Sequence, residues 1–382
     1  MTITYSGGFN RLLFRWRASL WQCVWKELLA YLLLYYALQF SYRYGFARYP
    51  KYKTLFETLV VYLDEATSSS IPIFFLLGQY VVIVVKRWWN QFENIGWPDN
   101  FLFFVSAYFD GKDDEERVLR RNIARYTVTS AVLAWRNISS RVLKRFPTAD
   151  HLTQCGLLTD EEMNIYAHTQ GRFGRWFLPI NWVQSIIMQQ HRRGRLDAPQ
   201  ANTLLKELHY YKDKFRRLFV MDWVTIPLVY TQVVTVATYG YFFLCLIGRQ
   251  NIDFHGDHKT ADVLDKKHTV KIFPIFSTLE FLFYMGWLKV AEKLMHPFGE
   301  QDDDFELNYI IDRHMYTSYQ IVDDIQDVMP KTMVDPFWDR DPVLPHTKAS
   351  SHIKDRRPSS QHVQVPFQEM ELIERPPVKK EV

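Results

Sequence analysis

Four stretches of this chain are apolar enough to leave water, and nothing else in the sequence limits the fold as strongly. They are Leu28 to Tyr42, Ala66 to Val85, Trp223 to Gly248, and Ile272 to Leu288. A bilayer crossing needs roughly 20 predominantly apolar residues, because the hydrocarbon core is about 30 Å thick and a helix rises about 1.5 Å per residue. The second and third stretches are uncharged over such a length, and the first is uncharged but shorter. Glu280 interrupts the fourth. A carboxylate is costly against lipid, so Glu280 is expected to face protein or water, unless the span boundary lies elsewhere.

The charges around these stretches set an orientation. Arg11, Arg15, Arg17 and Lys26 precede the first, and Lys86 and Arg87 follow the second. Basic flanks stay on the cytosolic side, which puts both termini in the cytosol and leaves the loops Gly45 to Ser70 and Arg249 to Lys271 outside. The expected organisation is a cytosolic segment at 1–27, two membrane helices within 28–85, a helical cytosolic domain at 86–222, and two more membrane helices within 223–290. An acidic cluster with C-terminal helices follows at 291–345, then a disordered tail at 346–382. The cytosolic domain mixes charged and apolar positions at helical spacing. Two of its helix starts are legible: the run from Asp113 to Trp135, with acids early and read as a solvated face, and Thr159, a plausible N-cap with Glu162 as its capping-box partner.

Several function classes drop away. With 46 basic against 42 acidic residues the net charge is only +4, too small a field to point to nucleic acid. Cys23, Cys155 and Cys245 show no paired spacing and are expected as buried, reduced thiols. No phosphate-binding glycine loop, nucleophile elbow or zinc-protease motif is present, so no catalytic residue is assigned.

Two constellations remain. Ile71, Phe75 and Gln79 share one helical face at i, i+4 and i+8. That stripe is either ordinary packing or a functional face, and Gln79 tells against packing because a buried amide needs a partner. The second is Glu300-Gln301-Asp302-Asp303-Asp304-Phe305-Glu306, five carboxylates within seven residues. Such crowding needs a helix N-terminus, basic side chains or a cation to offset it. Helix capping and calcium binding both stand, although the spacing is not that of an EF-hand.

The segments IPIFFLLGQYVVIVVKRWWNQFENIGWPD, DWVTIPLVYTQVVTVATYGYFF and GWLKVAEKLMHPFGEQDDDFELN resemble the bestrophins, in order and at matching separations. The resemblance covers approximately residues 1 to 340. It implies an all-α membrane protein with four transmembrane helices per subunit and a helical cytosolic domain, assembled as a homopentamer around one axial pore in the plasma membrane. It also implies conduction of chloride and other small anions such as bicarbonate, gated by cytosolic calcium (Ca2+). Ile71, Phe75 and Gln79 then ring the pore as its neck. Gln301 and Asp304 take the positions of the calcium-binding side chains, with backbone carbonyls of Asn10, Lys293 and His296. The family commonly has an aromatic where Gln79 stands and a carboxylate where Gln301 stands. A lower constriction falls near Pro199, without a conspicuous apolar ring-former. A non-conducting scaffold on the same fold is the competing expectation. In the tail, Arg356 and Arg357 precede Ser359, a candidate for regulatory phosphorylation.

Overall fold

The computed structural model describes residues 8–69, 72–171, 174–252, 274–326, 328–345 and 347–348. The chain divides into two units, Met1–Val328 and Met329–Val382. Every regular element among the described residues is helical. In chain order these are α1 (Phe9–Leu12), α2 (Leu20–Phe40), α3 (Pro50–Ser69), α4 (Ile73–Glu93), α5 (Asp99–Tyr108), α6 (Asp114–Trp135) and α7 (Ser140–Arg145). They continue as α8 (Ala149–Gln154), α9 (Asp160–His168), α10 (Leu178–Arg192), α11 (Ala198–Trp223), α12 (Leu228–Gly248), α13 (Ile275–Leu294) and α14 (Leu307–Tyr319).

The first unit holds two main cores. One is a bundle of α2, α4, α12 and α13 around Val24, Leu77, Tyr80, Phe242 and Met285. These four helices have 20 or 21 residues each, about 30 Å of rise. By length and composition α12 is the one described helix apolar enough throughout to cross a membrane. The others carry charges that the bundle pairs. In α2, Glu27 lies 3.0 Å from Lys289 of α13. Glu280 of α13 forms an ion pair with Arg249, just past α12, and accepts a hydrogen bond from the Tyr241 hydroxyl. The carboxylate therefore faces protein, as its cost in lipid requires.

Three expected boundaries move. The second stretch does not begin at Ala66, because Ala66 to Ser69 complete α3 and α4 starts at Ile73. Pro72, the N-cap of α4, has ψ 60° and no N–H to extend a preceding helix. The region Gly45 to Ser70 is not merely a loop: α3 lies against α12, with Val60 fully buried. Its apolar positions Phe56, Val60 and Leu63 recur at i, i+4 and i+7, a helical stripe within a sequence that also carries charge. The first apolar helix, α2, starts at Leu20 rather than at Leu28, since its charged early turns find partners. At the contact of α3 with α12, a Cβ on Gly248 would stand 2.9 Å from the backbone nitrogen of Asp64 and 3.0 Å from the carbonyl carbon of Leu63. Only glycine permits that approach.

The second core belongs to the helices α5 to α11 and α14, with α6 at its centre against α10 and α14. The run Asp113 to Trp135 is not a solvated face: Ile123, Ala124 and the residues from Thr127 to Trp135 are all buried. Only the first turns keep the expected character, and there Arg117 and Arg121 both pair with Asp323, at 2.7 and 2.6 Å. The capping box of Thr159 and Glu162 is present. Burial disfavours the charge on Glu162, but bonds from Arg125, Tyr126 and the Thr159 amide more than offset it and hold the carboxyl at about 2. The cysteines are all free, yet Cys155 is exposed, sitting at the C-terminal end of α8 rather than in the core. In the second unit, residues 329–345 form no helix, and Met329, Met333, Trp338 and Leu344 are exposed.

Candidate functional site

Ile73, Leu77, Tyr80 and Val84 make the buried face of α4. Successive residues turn about 100° around a helix, so these four cluster on one side and Phe75, Gln79 and Val82 on the other. That other side has no partner among the described residues: Phe75 is 62 % exposed, Val82 is 63 % exposed, and Gln79 is exposed. The stripe is not intrachain packing. Ile71, the third predicted member, lies outside the described residues.

The acidic run forms the loop between α13 and α14. Helix capping does not explain it, because Glu306 at the N-cap of α14 makes no capping bond and the first turn of that helix holds no acid. Basic side chains offset four of the five carboxylates. Glu300 pairs with Lys144 at 2.5 Å, Asp302 with Arg17 at 2.7 Å, Asp303 with Lys293 at 3.1 Å, and Glu306 with Arg141. Lys144 lowers the pKa of Glu300, and Arg17 does the same for Asp302.

Asp304 is the exception. It is 3 % exposed, and no basic side chain of the described residues reaches it. Its recorded bond comes from the backbone N–H of Gln301 to Oδ2, at 2.7 Å. Burial raises its pKa, with the nearby Asp303 adding to the effect, while the Gln301 amide, Arg141 and Lys293 oppose it. A buried carboxylate held this way is a ready ligand for a cation.

The surrounding carbonyls suit the same end. A Cβ built on Gly299 would lie 2.8 Å from Asp304 Oδ2 and 3.9 Å from the carbonyl oxygen of His296, so both oxygens border one small space beside that glycine. Lys293 lies in the last turn of α13, where carbonyls lack intrahelical partners, and the residue four further on is Pro297, which has no N–H to give. Gln301 is exposed, and its carbonyl accepts from the Asp304 amide at 3.1 Å. Asn10 sits exposed in the one-turn helix α1. What anchors its segment to the loop is Arg17, whose Nε and Nη2 donate to the two oxygens of Asp302 at 3.1 and 2.7 Å. Among the described residues no three His, Cys, Asp or Glu side chains converge, so a cation here would rest mainly on backbone oxygens. The Asp304 carboxylate and the neighbouring His296 carbonyl are hard oxygens of the kind calcium takes.

The loop is joined to α4 by aromatic rings that the sequence did not single out. Phe305 follows Asp304 and packs its ring 5.4 Å from Trp88 and 5.3 Å from Phe92. Trp88 and Phe92 stand at i and i+4 on the last turns of α4, a spacing visible in the sequence as a helix-face pair. Pro199 is exposed in the first turn of α11, behind the Asp197–Gln200 capping box. Ser359 lies outside the described residues.

Comparison with known proteins places these features in context. Residues 1–324 match the family model described as Bestrophin, RFP-TM, chloride channel. The chain is 42 % identical over 362 residues to Bestrophin homolog 14 of Caenorhabditis elegans, covering 94 % of this chain and 85 % of that protein. It is 42 % identical over 364 residues to Bestrophin-2 of Mus musculus, covering 92 % and 70 %. Among solved structures, a bacterial bestrophin homolog from Klebsiella pneumoniae superposes with a TM-score of 0.57 at 16 % identity, covering 78 % of this chain and 98 % of that one. At that identity the likeness concerns the fold.

Proposed function

Because this chain belongs to the bestrophin family of membrane channel proteins, we propose that it is a subunit of an anion channel, passing chloride and bicarbonate through a pore made by five copies. The carrying observation is the face of α4 bearing Phe75 and Gln79, left without a partner among the described residues and opposite the buried stripe. Five such faces form the neck of the pore, to which the family resemblance also assigns Ile71. Aromatic rings present positive edges to a passing anion, and no fixed cation is needed at that level. With Gln79 in place of a third apolar side chain the neck is wetter, since dewetting of a hydrophobic constriction is itself a gate. The protein sits in the plasma membrane with both termini in the cytosol, as the basic flanks of α2 and α4 favour.

Calcium is the gating ligand in this reading. Asp304 would supply a carboxylate, Gln301 its amide oxygen, and Asn10, Lys293 and His296 their carbonyls. Bound calcium supplies the positive charge that Asp304 alone in the loop lacks. The residues' own part is mechanical: Arg17 holds the N-terminal segment on the loop, and Phe305 carries the loop's position to Trp88 and Phe92 on the neck helix. Phosphorylation at Ser359 would act on this apparatus through the charge of the tail.

Purified protein in planar bilayers under a chloride gradient tests the proposal. A unitary current reversing near the chloride potential is expected. A folded, pentameric protein that passes no such current at any calcium level would instead be the non-conducting scaffold.

A further inference from the structure

The unpartnered face of α4 does not end at the neck. Continued along the helix from Phe75, Gln79 and Val82, it reaches Lys86, three turns below Phe75. Lys86 is exposed and makes no hydrogen bond or ion pair among the described residues. The adjacent cation is used differently. Arg87 turns away to donate to the backbone carbonyls of Val224 and Met221, tying α4 to the end of α11. Two consecutive basic residues thus divide into one that fastens the helix and one that the fold leaves facing the same way as the neck residues.

We propose that Lys86 forms a ring of five ammonium groups directly beneath the neck, and that this ring concentrates small anions at the cytosolic mouth of the constriction. The inference rests on the reading of α4 as the pore-lining helix. Three features carry it. Helix geometry puts Lys86 on the Phe75 side, within about 10 Å of Gln79 along the axis. Side chains on a helix lean toward its N-terminus, and α4 runs from neck to cytosol, so the ammonium is carried toward Gln79. No carboxylate of the described residues pairs with it. The other charge on this face, Glu93, lies two turns further on and accepts a hydrogen bond from Trp89 Nε1 at 2.8 Å. Of the two, the positive charge is the one nearest the neck for an anion arriving from below, and it sits within about a Debye length of the constriction at physiological salt.

Unitary current in inside-out patches tests this. In about 0.1 M chloride, Lys86→Gln should lower the outward movement of chloride from the cytosolic side by about twofold, with Lys86→Arg unchanged. In about 1 M chloride, where screening acts within about 3 Å, the difference should nearly vanish. On Lys86→Cys, cytosolic 2-sulfonatoethyl methanethiosulfonate should lower the current further, and the 2-aminoethyl reagent should return it toward the original level. The unsubstituted protein under both reagents controls for the exposed Cys155. If Phe75→Ala changes the current while Lys86→Gln matches wild type at both salts, the ring is refuted and the neck stands. Equal effects of the two reagents would also refute it, since that marks bulk rather than charge. A wild-type protein without chloride current would overturn both readings together.

Discussion

The ring of Phe305 lies 5.3 Å from that of Phe92, joining the residue after the buried Asp304 to the last turn of α4. A displacement of the acidic loop thus meets α4 through a packed contact. Phe305→Leu keeps much of the buried volume and should cost under about 1.5 kcal/mol. It should move the midpoint of calcium activation while leaving calcium binding, measured by titration calorimetry, unchanged. Equal shifts in both measurements would mean that Phe305 shapes the site rather than transmits from it.

Asp304→Asn should weaken or abolish calcium activation, because the site loses its buried charge. Gln301→Asp should lower the calcium concentration needed, since affinity follows the number of charged oxygens. Activation curves in inside-out patches compare the three proteins, and superimposable curves would remove calcium from this loop.

At the neck, Gln79→Phe should reduce basal current by restoring an apolar ring, and Phe75→Ala should increase it. Current per channel at matched surface expression is the readout. If neither substitution alters it, the exposed face of α4 serves assembly or lipid contact instead.

His314 gives the cytosolic domain a pH dependence. It is fully buried, and its Nε2–H donates to the Gly96 carbonyl at 2.9 Å. Burial, aided by Arg313, pushes the imidazole down to about 4, although Gly96 and Asp99 pull the other way. A histidine depressed in the folded state leaves stability intact above its unfolded value near 6.5 and removes it as pH falls toward 4. The loss should be on the order of 3 kcal/mol across that window. Denaturation of the solubilised protein from pH 8 to 4 should show this slope, and His314→Gln should flatten it.

Gly248→Ala should cost about 1–3 kcal/mol, because the new methyl meets backbone of α3 that cannot rotate away. Gly240→Ala on the same helix meets nothing within 4 Å and should be neutral or stabilising by up to about 1 kcal/mol. Melting temperatures of the pair separate tight helix contact from helix propensity.

Much of the architecture could be read from local rules. The uncharged run from Trp223 to Gly248 yields α12, and the Thr159–Glu162 pair yields a capped helix, because each depends on neighbours in sequence. Glu280 was legible as a residue that must face protein, but not its partner Arg249, which a long connection separates from it. The start of α2 was missed for the same reason: Glu27 looks too polar for a membrane helix until Lys289 is brought beside it. In the acidic loop the crowding of charge was plain, whereas its resolution needed Arg17, Lys144 and Arg141 from distant segments. The depth of α6 was also hidden, since its exposed, charged first turns mask a second half, Thr127 to Trp135, that is buried on every side.

The Arg17–Asp302 contact spans 285 positions of sequence. A ribosome adding about 5–20 residues each second emits the aspartate tens of seconds after the arginine. Throughout that interval the N-terminal segment has no acidic loop to settle on, while α2 can pair with α12 once that helix has been made. The clasp between start and loop is therefore among the last contacts a newly made subunit can close, and its closure reports that everything between has been synthesised.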